Sequence, residues 1–235
     1  QKTTGDPDND LVAIGGSGFG IMAIIVAVNR GCIDRAAALG RLQGMLDFLV
    51  ASPRYHGMFP HFINGRTGET IPFRRTDDGA DLVETTFLFQ GLIWAREYFF
   101  STAAEKRRLR DGVDSLLSQA EWNRFTRGKR QLYWHWSRKH GWAMNSPIEG
   151  WNECLLSFAL AAGSSSYGID PDIYREGFAA GPGFRNGRDF HGIRITYSPA
   201  RSRRSTCNWR NSRSRMRSGA FSPTTTWPWW TETRF

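Results

Sequence analysis

Residues 77–99 read DDGADLVETTFLFQGLIWAREYF, an acidic opening followed by a long apolar run. The run is too long for an ordinary strand and does not alternate between apolar and polar residues. Its apolar residues cover most of a helix circumference, which predicts a deeply buried helix over 81–99. Other elements must enclose such a helix, so the fold is expected to be built around it.

The segments on either side predict further helices and few strands. Apolar residues at helical spacing predict helices over 18–29 and 35–50, the second with Asp34 as its N-cap. A β-hairpin is expected over 59–73, where NGRTG supplies the turn. The same patterns predict helices over 103–119, 149–162 and 171–176 and a strand over 190–195. Because strands and helices do not alternate, an all-α fold with loops gathered at one face is expected instead of a parallel sheet.

Glycines near the start of the first predicted helix, GGSGFG at 15–20, invite a nucleotide-binding interpretation. A GxGxxG motif that began at Gly16 would need a glycine in place of Ile21, and no strand precedes the segment. We therefore expect Ser17 to cap the helix and Gly20 to permit close packing.

Charge is distributed unevenly along the 235 residues, whose formal net charge is +9. Residues 1–200 carry 23 Lys and Arg against 21 Asp and Glu, a net charge of +2. Residues 201–235 carry 8 Arg and one acid, Glu232, a net charge of +7, and show no apolar periodicity. The sequence therefore predicts a domain over 1–199 and a basic, disordered or frame-shifted tail over 200–235.

Composition and spacing argue against several classes of protein. The three cysteines, Cys32, Cys154 and Cys207, lie far apart and form neither a disulfide framework nor a zinc signature. The most apolar stretch, 20–28, is too short to span a bilayer and does not follow the basic segment of a signal peptide. No metal site is expected, because His56, His61, His135 and His140 have no HxxxH or HExxH spacing on a helix.

Acidic residues open the buried helix. Asp77, Asp81 and Glu84 are spaced i, i+4 and i+7, which places them on one face if the helix starts near Asp77. Acids at a helix N-terminus also cap it and complement its dipole, but one acid suffices for that. Three acids on one face repel each other unless they are protonated, paired or facing a ligand. The sequence alone therefore favours neither a structural nor a functional role for these three acids.

A second acidic group, EGWNE at 149–153, opens the next apolar helix. Asn152 can orient a carboxylate or a sugar hydroxyl. In the alternative interpretation, Glu149 caps the helix and Glu153 is an exposed surface acid. The apolar residues after Glu153 favour a buried position, and a buried acid requires a reason.

Aromatic and histidine side chains recur between the predicted helices. Aromatic faces beside hydrogen-bonding groups suit sugar rings, although tryptophans also cover loops over a core. The candidates for sugar contact are His61, Trp134, His135, Trp136, Trp142, Trp151 and Asn152. Two acid groups beside an aromatic cleft indicate glycoside hydrolysis, in which one carboxylic acid protonates the leaving oxygen and a carboxylate activates water or attacks.

Five longer segments resemble one known family. They are GSGFGIMAIIVAVNRG (16–31), YHGMFPHFINGRTGETIPF (55–73), DDGADLVETTFLFQGLIWAREYF (77–99), LYWHWSRKHGWAMN (132–145) and GWNECLLSFALAAGS (150–164). In this order, they resemble bacterial glucoamylase-like domains over residues 10–199, and within that group the endo-β-1,2-glucanases of glycoside hydrolase family 144. The resemblance implies an (α/α)6 toroid with its active site at the barrel mouth. It also implies a secreted or periplasmic enzyme that hydrolyses β-1,2-glucan without a cofactor.

The resemblance further implies roles for the acids. The family's acidic cluster matches Asp77, Asp81 and Glu84, and its essential glutamate in a Gly-aromatic-Asn-Glu motif matches Glu153. Catalysis is thus expected from Glu153 with Asp77 or Asp81, and sugar contacts from the aromatic candidates. Acid and base are not assigned, because the separation of the carboxylates is a structural quantity. We expect a monomer with a β-glucan substrate and no nucleic-acid or membrane partner.

The resemblance stops near residue 199. Family members continue beyond the match to 186–195 with more barrel helices, whereas TYSP at 196–199 is followed here by Arg- and Ser-rich sequence. We infer a reading-frame shift near residue 198, which resequencing of the source DNA tests. The toroid is then incomplete and also lacks helices before Gln1. Little activity and poor solubility are expected of the isolated chain, because an open ring exposes apolar edges.

Two other functions stay open at this stage. One is a non-catalytic carbohydrate-binding or enzyme-associated domain. The other is nucleic-acid binding through residues 201–217, which is disfavoured because those arginines lie on no element that would enter a groove. Salt-dependent DNA binding that disappears on deletion of 201–235 would support it.

Overall fold

The computed structural model describes residues 10–100, 104–150, 152–180, 188–190 and 193–195. The chain divides into a unit at Gln1–Ala200 and a unit at Arg201–Phe235, and every described residue belongs to the first. The tail predicted over 200–235 lies outside the described residues.

Five α-helices are the longest elements of the described chain. They are α1 (Ile14–Asn29), α2 (Arg35–Ala51), α3 (Leu82–Tyr98), α4 (Ala104–Ser118) and α5 (Leu155–Ala162). A 3₁₀ helix spans Trp122–Thr126, and a π-helix at Tyr174–Ala179 stands where an α-helix over 171–176 was predicted. The predicted helical class is confirmed for this part of the chain. None of these helices combines the length and the apolar character that crossing a bilayer requires.

Short antiparallel strands join the helices. One sheet contains β1 (Leu11–Ala13), β2 (Phe62–Asn64) and β3 (Thr70–Ile71), and two pairs are formed by β4 (Ala80–Asp81) with β5 (His135–Trp136) and by β6 (Arg188–Phe190) with β7 (Ile193–Ile195). The predicted hairpin is confirmed as β2–β3. Strand β1 was not predicted, and it adds to the hairpin with Val12 opposite Ile63. The single strand predicted over 190–195 is wrong, since β6 and β7 pair with each other.

Helix α3 is deeply buried, as its apolar circumference predicts. Leu88 and Phe89 have no exposed surface. The Phe89 ring packs edge-on against Phe59 at 6.5 Å and against Trp122 at 6.2 Å. The core of the described unit therefore includes the segment just before β2, helix α3 and the 3₁₀ helix.

Helix α3 begins at Leu82, one residue after its predicted start. Asp81 is the N-cap, and its side chain accepts hydrogen bonds from the backbone N–H groups of Val83 and Glu84. The preceding residues are extended because Asp81 N donates to Phe59 O at 2.8 Å and β4 pairs with β5. The helix therefore does not start near Asp77, and the three acids do not share one helical face.

Helix α1 crosses α3 at very short range. A Cβ atom at Gly18 would lie 2.0 Å from the carbonyl oxygen of Phe87, so only glycine fits there. Two predictions for this helix are wrong. Nothing lies within 4 Å of a Cβ at Gly20. Ser17 lies inside the helix and donates to Ala13 O at 2.9 Å instead of capping it.

Candidate active site

The predicted acids converge around two histidines. His61 Nδ1 lies 3.1 Å from Asp81 Oδ2, and its Nε2 lies 3.8 Å from Glu84 Oε1. His135 Nε2 lies 3.1 Å from Asp77 Oδ1. Strand pairing contributes to this arrangement, because β4 sets Asp81 directly opposite His135 on β5. Asp77, Asp81, Glu84, His61 and His135 form what we call the acid cluster.

Asp81 is the best-anchored member of the acid cluster. Its Oδ1 accepts from the N–H groups of Val83 and Glu84 at 3.0 and 2.9 Å. Its Oδ2 lies 3.1 Å from His61 Nδ1 and accepts from Trp134 Nε1 at 3.3 Å. Four groups thus surround a carboxylate that is only 1% exposed, which leaves it little freedom to act on a substrate. We interpret Asp81 as a residue that positions the others.

This interpretation predicts a loss of stability in Asp81→Asn. The asparagine oxygen can still cap α3, but its amide NH₂ would face the donors of His61 and Trp134. Leaving buried donors unpaired costs about 1–3 kcal/mol each, so a fall of about 3 kcal/mol in the free energy of unfolding is expected. Urea denaturation measures it, with Asp34→Asn as the control, since Asp34 is an exposed N-cap that accepts only from backbone N–H groups. Equal effects of the two substitutions would contradict the interpretation.

Asp77 is the acid whose protonation is most perturbed. Burial, reinforced by the negative charges of Asp81 and Asp78, raises the pKa of Asp77 to about 7, against the opposing charges of His61 and Arg74. Its side chain is nearly buried, and within the described residues Oδ1 has no hydrogen-bond partner. An acceptor without a donor favours the protonated carboxyl. Asp77 therefore holds a proton close to neutral pH.

His135 complements this acid with a neutral ring. Its Nε2 accepts from the backbone N–H of Gly79 at 3.3 Å, and burial lowers the pKa of His135. Nδ1 has no hydrogen-bond partner in the part of the chain that the structure describes. Below about pH 7, Asp77 and His135 thus face each other as neutral groups, and within the described residues each has one polar atom without a hydrogen-bond partner.

Glu84 is held by the start of α1. The backbone N–H of Gly15 donates to Oε2 at 2.9 Å, and a Cβ at Gly15 would lie 2.5 Å from the same oxygen. Burial and the negative charge of Asp81 raise the pKa of Glu84, and the charge of Glu153 adds to the rise. The charge of His61 and the hydrogen bond from Gly15 N oppose it. The local sequence pattern did not indicate Gly15, because its contact with Glu84 joins residues far apart in the chain.

His61, predicted as a sugar contact, lies inside the acid cluster. Burial opposes its protonation, but the hydrogen bond and charge of Asp81, with the charges of Glu84 and Asp77, outweigh burial and raise the pKa of His61. Phe73 stacks on the His61 ring at 4.5 Å and is 39% exposed. Phe73 was not predicted, since nothing in its spacing distinguishes it from a core residue.

Glu153 lies in an exposed turn, so the expectation of a buried position is wrong. Helix α5 begins at Leu155 and not at residue 149, because Asn152 Oδ1 accepts from Cys154 N at 3.0 Å and forms a local turn. The side chain of Asn152 also donates to Glu149 O at 3.3 Å. Within the described part of the chain, Glu153 is linked to the acid cluster by its charge, which acts on Glu84. Trp151 lies outside the described residues.

The three remaining tryptophans occupy different environments. Trp134 donates to Asp81 and belongs beside the acid cluster. Trp136 follows His135 on β5 and lies against His56, with ring centroids 4.5 Å apart. Trp142 packs edge-on against Phe125 at 5.6 Å. The structure thus brings only Trp134 of this set to the acids.

The acid cluster is not arranged as a metal centre. In the described ranges, no group of three or more His, Cys, Asp or Glu side chains has a geometry that would hold a metal ion. The cluster offers one carboxyl that is protonated near neutral pH beside further carboxylates. This combination suits acid–base chemistry.

Comparison with known proteins gives one consistent result. No family model matches the chain. Over 175 residues, 73% of this chain, it is 42% identical to an exo β-1,2-glucooligosaccharide sophorohydrolase (non-reducing end) of Parabacteroides distasonis, and it covers 24% of that protein. A crystal structure of a proposed glucoamylase from Bacteroides uniformis matches 84% of this chain at 44% identity with a TM-score of 0.79.

A third relative carries bound sugars. The structure of the endo-β-1,2-glucanase from Chitinophaga pinensis with sophorotriose and glucose matches 84% of this chain at 38% identity with a TM-score of 0.76. This chain covers 48% of that structure and 48% of the Bacteroides uniformis structure, so it spans about half the length of these relatives. The resemblance seen in the sequence is confirmed: most of this chain matches about half of structures that are named a proposed glucoamylase and an endo-β-1,2-glucanase.

Proposed function

We propose that the chain carries the acid-bearing half of a glycoside hydrolase that acts on β-1,2-glucan. The observation that supports this most is Asp77, a nearly buried carboxyl with a pKa of about 7, set beside Asp81 and Glu84. Glycoside hydrolysis needs one carboxyl that is still protonated at working pH and a second group that is a base. Relatives that match the chain at 38–42% identity act on β-1,2-linked glucose chains by name.

In this proposal, Asp77 gives its proton to the glycosidic oxygen as the bond to the anomeric carbon breaks. Glu153, the exposed acid, takes a proton from the attacking water, and Glu84 couples electrostatically to it. Asp81 holds His61 and Trp134 in place. The five helices would form one side of an (α/α)6 toroid, with the cluster at its mouth.

The role of Glu153 can be tested by Glu153→Gln. A suitable protein is a chimera in which residues 10–195 replace the matching half of the Chitinophaga pinensis enzyme. Loss of the base should lower hydrolysis of β-1,2-glucan by roughly a hundredfold while sophorotriose binding is retained. Glu149→Gln is the matched control, since Glu149 accepts from Gln131 at 3.0 Å in a surface contact. If neither substitution changes hydrolysis, Glu153 is not the base.

A chimera that binds glucan without cleaving it would favour the non-catalytic carbohydrate-binding alternative.

We propose cleavage within the glucan chain. The relatives differ in this respect by name, since the Chitinophaga pinensis protein is an endo-enzyme and the Parabacteroides distasonis protein an exo-enzyme that releases sophorose units. Products of the chimera separate the two modes. A ladder of oligosaccharides indicates internal cleavage, and sophorose alone indicates cleavage at a chain end.

The isolated chain should have little activity and low solubility. Large apolar side chains lie on the surface of the described part, with exposed fractions of 53% for Phe19, 58% for Val26 and 57% for Trp94. The matched structures contain about as much chain again. An apolar surface of this kind is typical of a missing neighbour. Release of β-1,2-linked oligosaccharides by the purified chain would contradict the proposal.

Location and assembly follow the resemblance. We propose a monomer that acts in the periplasm or outside the cell, where long glucans are met. Fractionation of the native host with an antibody against the chain tests the location. Gel filtration of the chimera tests the monomer.

A further inference from the structure

A second depression lies on the face of β5 that points away from the acid cluster. Successive side chains of a strand point to opposite faces, so His135 turns toward the acids and Trp136 away from them. Trp136 lines a groove of about 380 Å³. The other lining residues are Pro53, Arg54, Tyr55, His56 and Arg138. We call this space the Trp136 groove.

The lining combines an aromatic surface with hydrogen-bond donors. His56 meets the Trp136 ring edge-on at 4.5 Å, which fixes the indole in place. The guanidinium of Arg54 makes two long hydrogen bonds, of 3.5 Å to Leu49 O and 3.4 Å to Gln119 Oε1. Arg138 is exposed and makes no hydrogen bond or ion pair with any described residue. Guanidinium groups are thus available beside an indole.

The floor of the groove is formed before any ligand binds. Tyr55 and Met58 exchange backbone hydrogen bonds of 2.8 and 3.1 Å. His56 has a φ of +58°, and its carbonyl accepts from Glu121 N at 3.1 Å. A left-handed conformation in a residue other than glycine is costly and persists only where the surroundings hold it. The loop that carries Tyr55 and His56 is therefore rigid.

The chemistry of the groove points to a sugar. An indole beside guanidinium donors can stack on the apolar face of a glucose ring and bond its hydroxyl edge. Among the described residues, no carboxylate lines the groove, so these residues offer a bound sugar no acid for cleavage. We propose that the Trp136 groove is a second saccharide-binding site, which holds a glucan chain away from the acid cluster. The proposal rests on β-glucan being the substrate, as argued above.

Two binding sites on one molecule increase the affinity for a polymer more than for a short sugar, because the second contact is intramolecular. Trp136→Ala should therefore weaken binding of polymeric β-1,2-glucan about tenfold, the equivalent of roughly 1.4 kcal/mol of stacking. Isothermal titration of the purified chain with the polymer measures this effect. Trp94→Ala is the matched control, because Trp94 is an exposed tryptophan on α3 outside the groove.

Two further variants separate stacking from loss of fold. Trp136→Phe should recover most of the affinity, since it keeps an aromatic face, and Arg138→Ala should lower affinity severalfold without altering the thermal unfolding temperature. Equal affinity in the wild type, Trp136→Ala and Arg138→Ala would overturn the proposal. Failure of the two proposals can be told apart. If these variants bind the glucan as tightly as the wild type and the chimera is active, only the proposal of a second saccharide site is rejected. If the variants lose affinity for the glucan and the chimera is inactive, only the hydrolase proposal is rejected. A wild-type chain that binds no glucan rejects the groove.

Discussion

Asp77→Asn is expected to remove most of a decline in stability that the wild-type chain shows between about pH 4 and pH 7. In the unfolded chain the carboxyl titrates near 3.8, and in the folded protein its pKa is about 7. Between these values the folded protein keeps a proton that the unfolded chain has released, so the free energy of unfolding falls as pH rises. The fall is complete above the folded pKa and amounts to about 4 kcal/mol, because one pKa unit is worth about 1.4 kcal/mol.

Asparagine cannot ionise, so the variant should be the more stable protein at pH 8 and lose most of this pH dependence. Urea unfolding at a series of pH values between 4 and 8 gives the comparison. Asp111→Asn is the control, because Asp111 is an exposed acid on α4 beside Arg110. If Asp77→Asn keeps the wild-type pH dependence, Asp77 is ionised throughout this range and is not the proton donor.

Gly18→Ala is expected to destabilise the protein by about 4 kcal/mol or to prevent folding. The added Cβ would lie 2.0 Å from Phe87 O and 2.8 Å from Leu88 Cα, both backbone atoms of α3. Overpacking against side chains costs roughly 1–3 kcal/mol, but backbone atoms of a buried helix have less room to move. The two helices would have to separate along the α1–α3 contact.

A matched control lies two residues away on the same helix. Gly20 has nothing within 4 Å of an added Cβ, so Gly20→Ala should stabilise the protein by about 0.5–1 kcal/mol through helix propensity alone. Thermal unfolding followed by circular dichroism compares the two. Equal stability of the two variants would show that α1 and α3 are not in contact at Gly18.

Local signals predicted the helices well. Periodicity and capping act within a few residues, so α2 behind Asp34 and α4 agree with the prediction to within one residue at each end. Helix α3 also agrees to within one residue at each end, and extended pairing of β4 with β5 keeps the residues before Leu82 out of it. The start of α5 was predicted too early, at residue 149 instead of Leu155, because residues far apart in the chain contribute to it. Pairing of Tyr133 with Pro147 and the turn at Asn152 delay α5.

The site could be predicted in composition but not in geometry. The residue types and the acid spacing pointed to Asp77, Asp81 and Glu84, which the structure brings together. Their contact with Gly15 N and the stacking of Phe73 on His61 join segments far apart in the chain. Periodicity carries no information about such contacts. His135 and Trp136 are neighbours on one strand but point to opposite faces of it. Which of the two faces the acid cluster is known only once β5 is seen to pair with β4.

The central claim is that Asp77 supplies the proton for glucan cleavage. The pH dependence of hydrolysis by the chimera tests it most directly, with β-1,2-glucan as substrate. We predict a rate that declines above about pH 7, where the donor has lost its proton. In Asp77→Asn, the rate should fall by about a thousandfold, and the residual activity should lack the decline. An Asp77→Asn chimera with wild-type rate and the same decline above pH 7 would contradict the account.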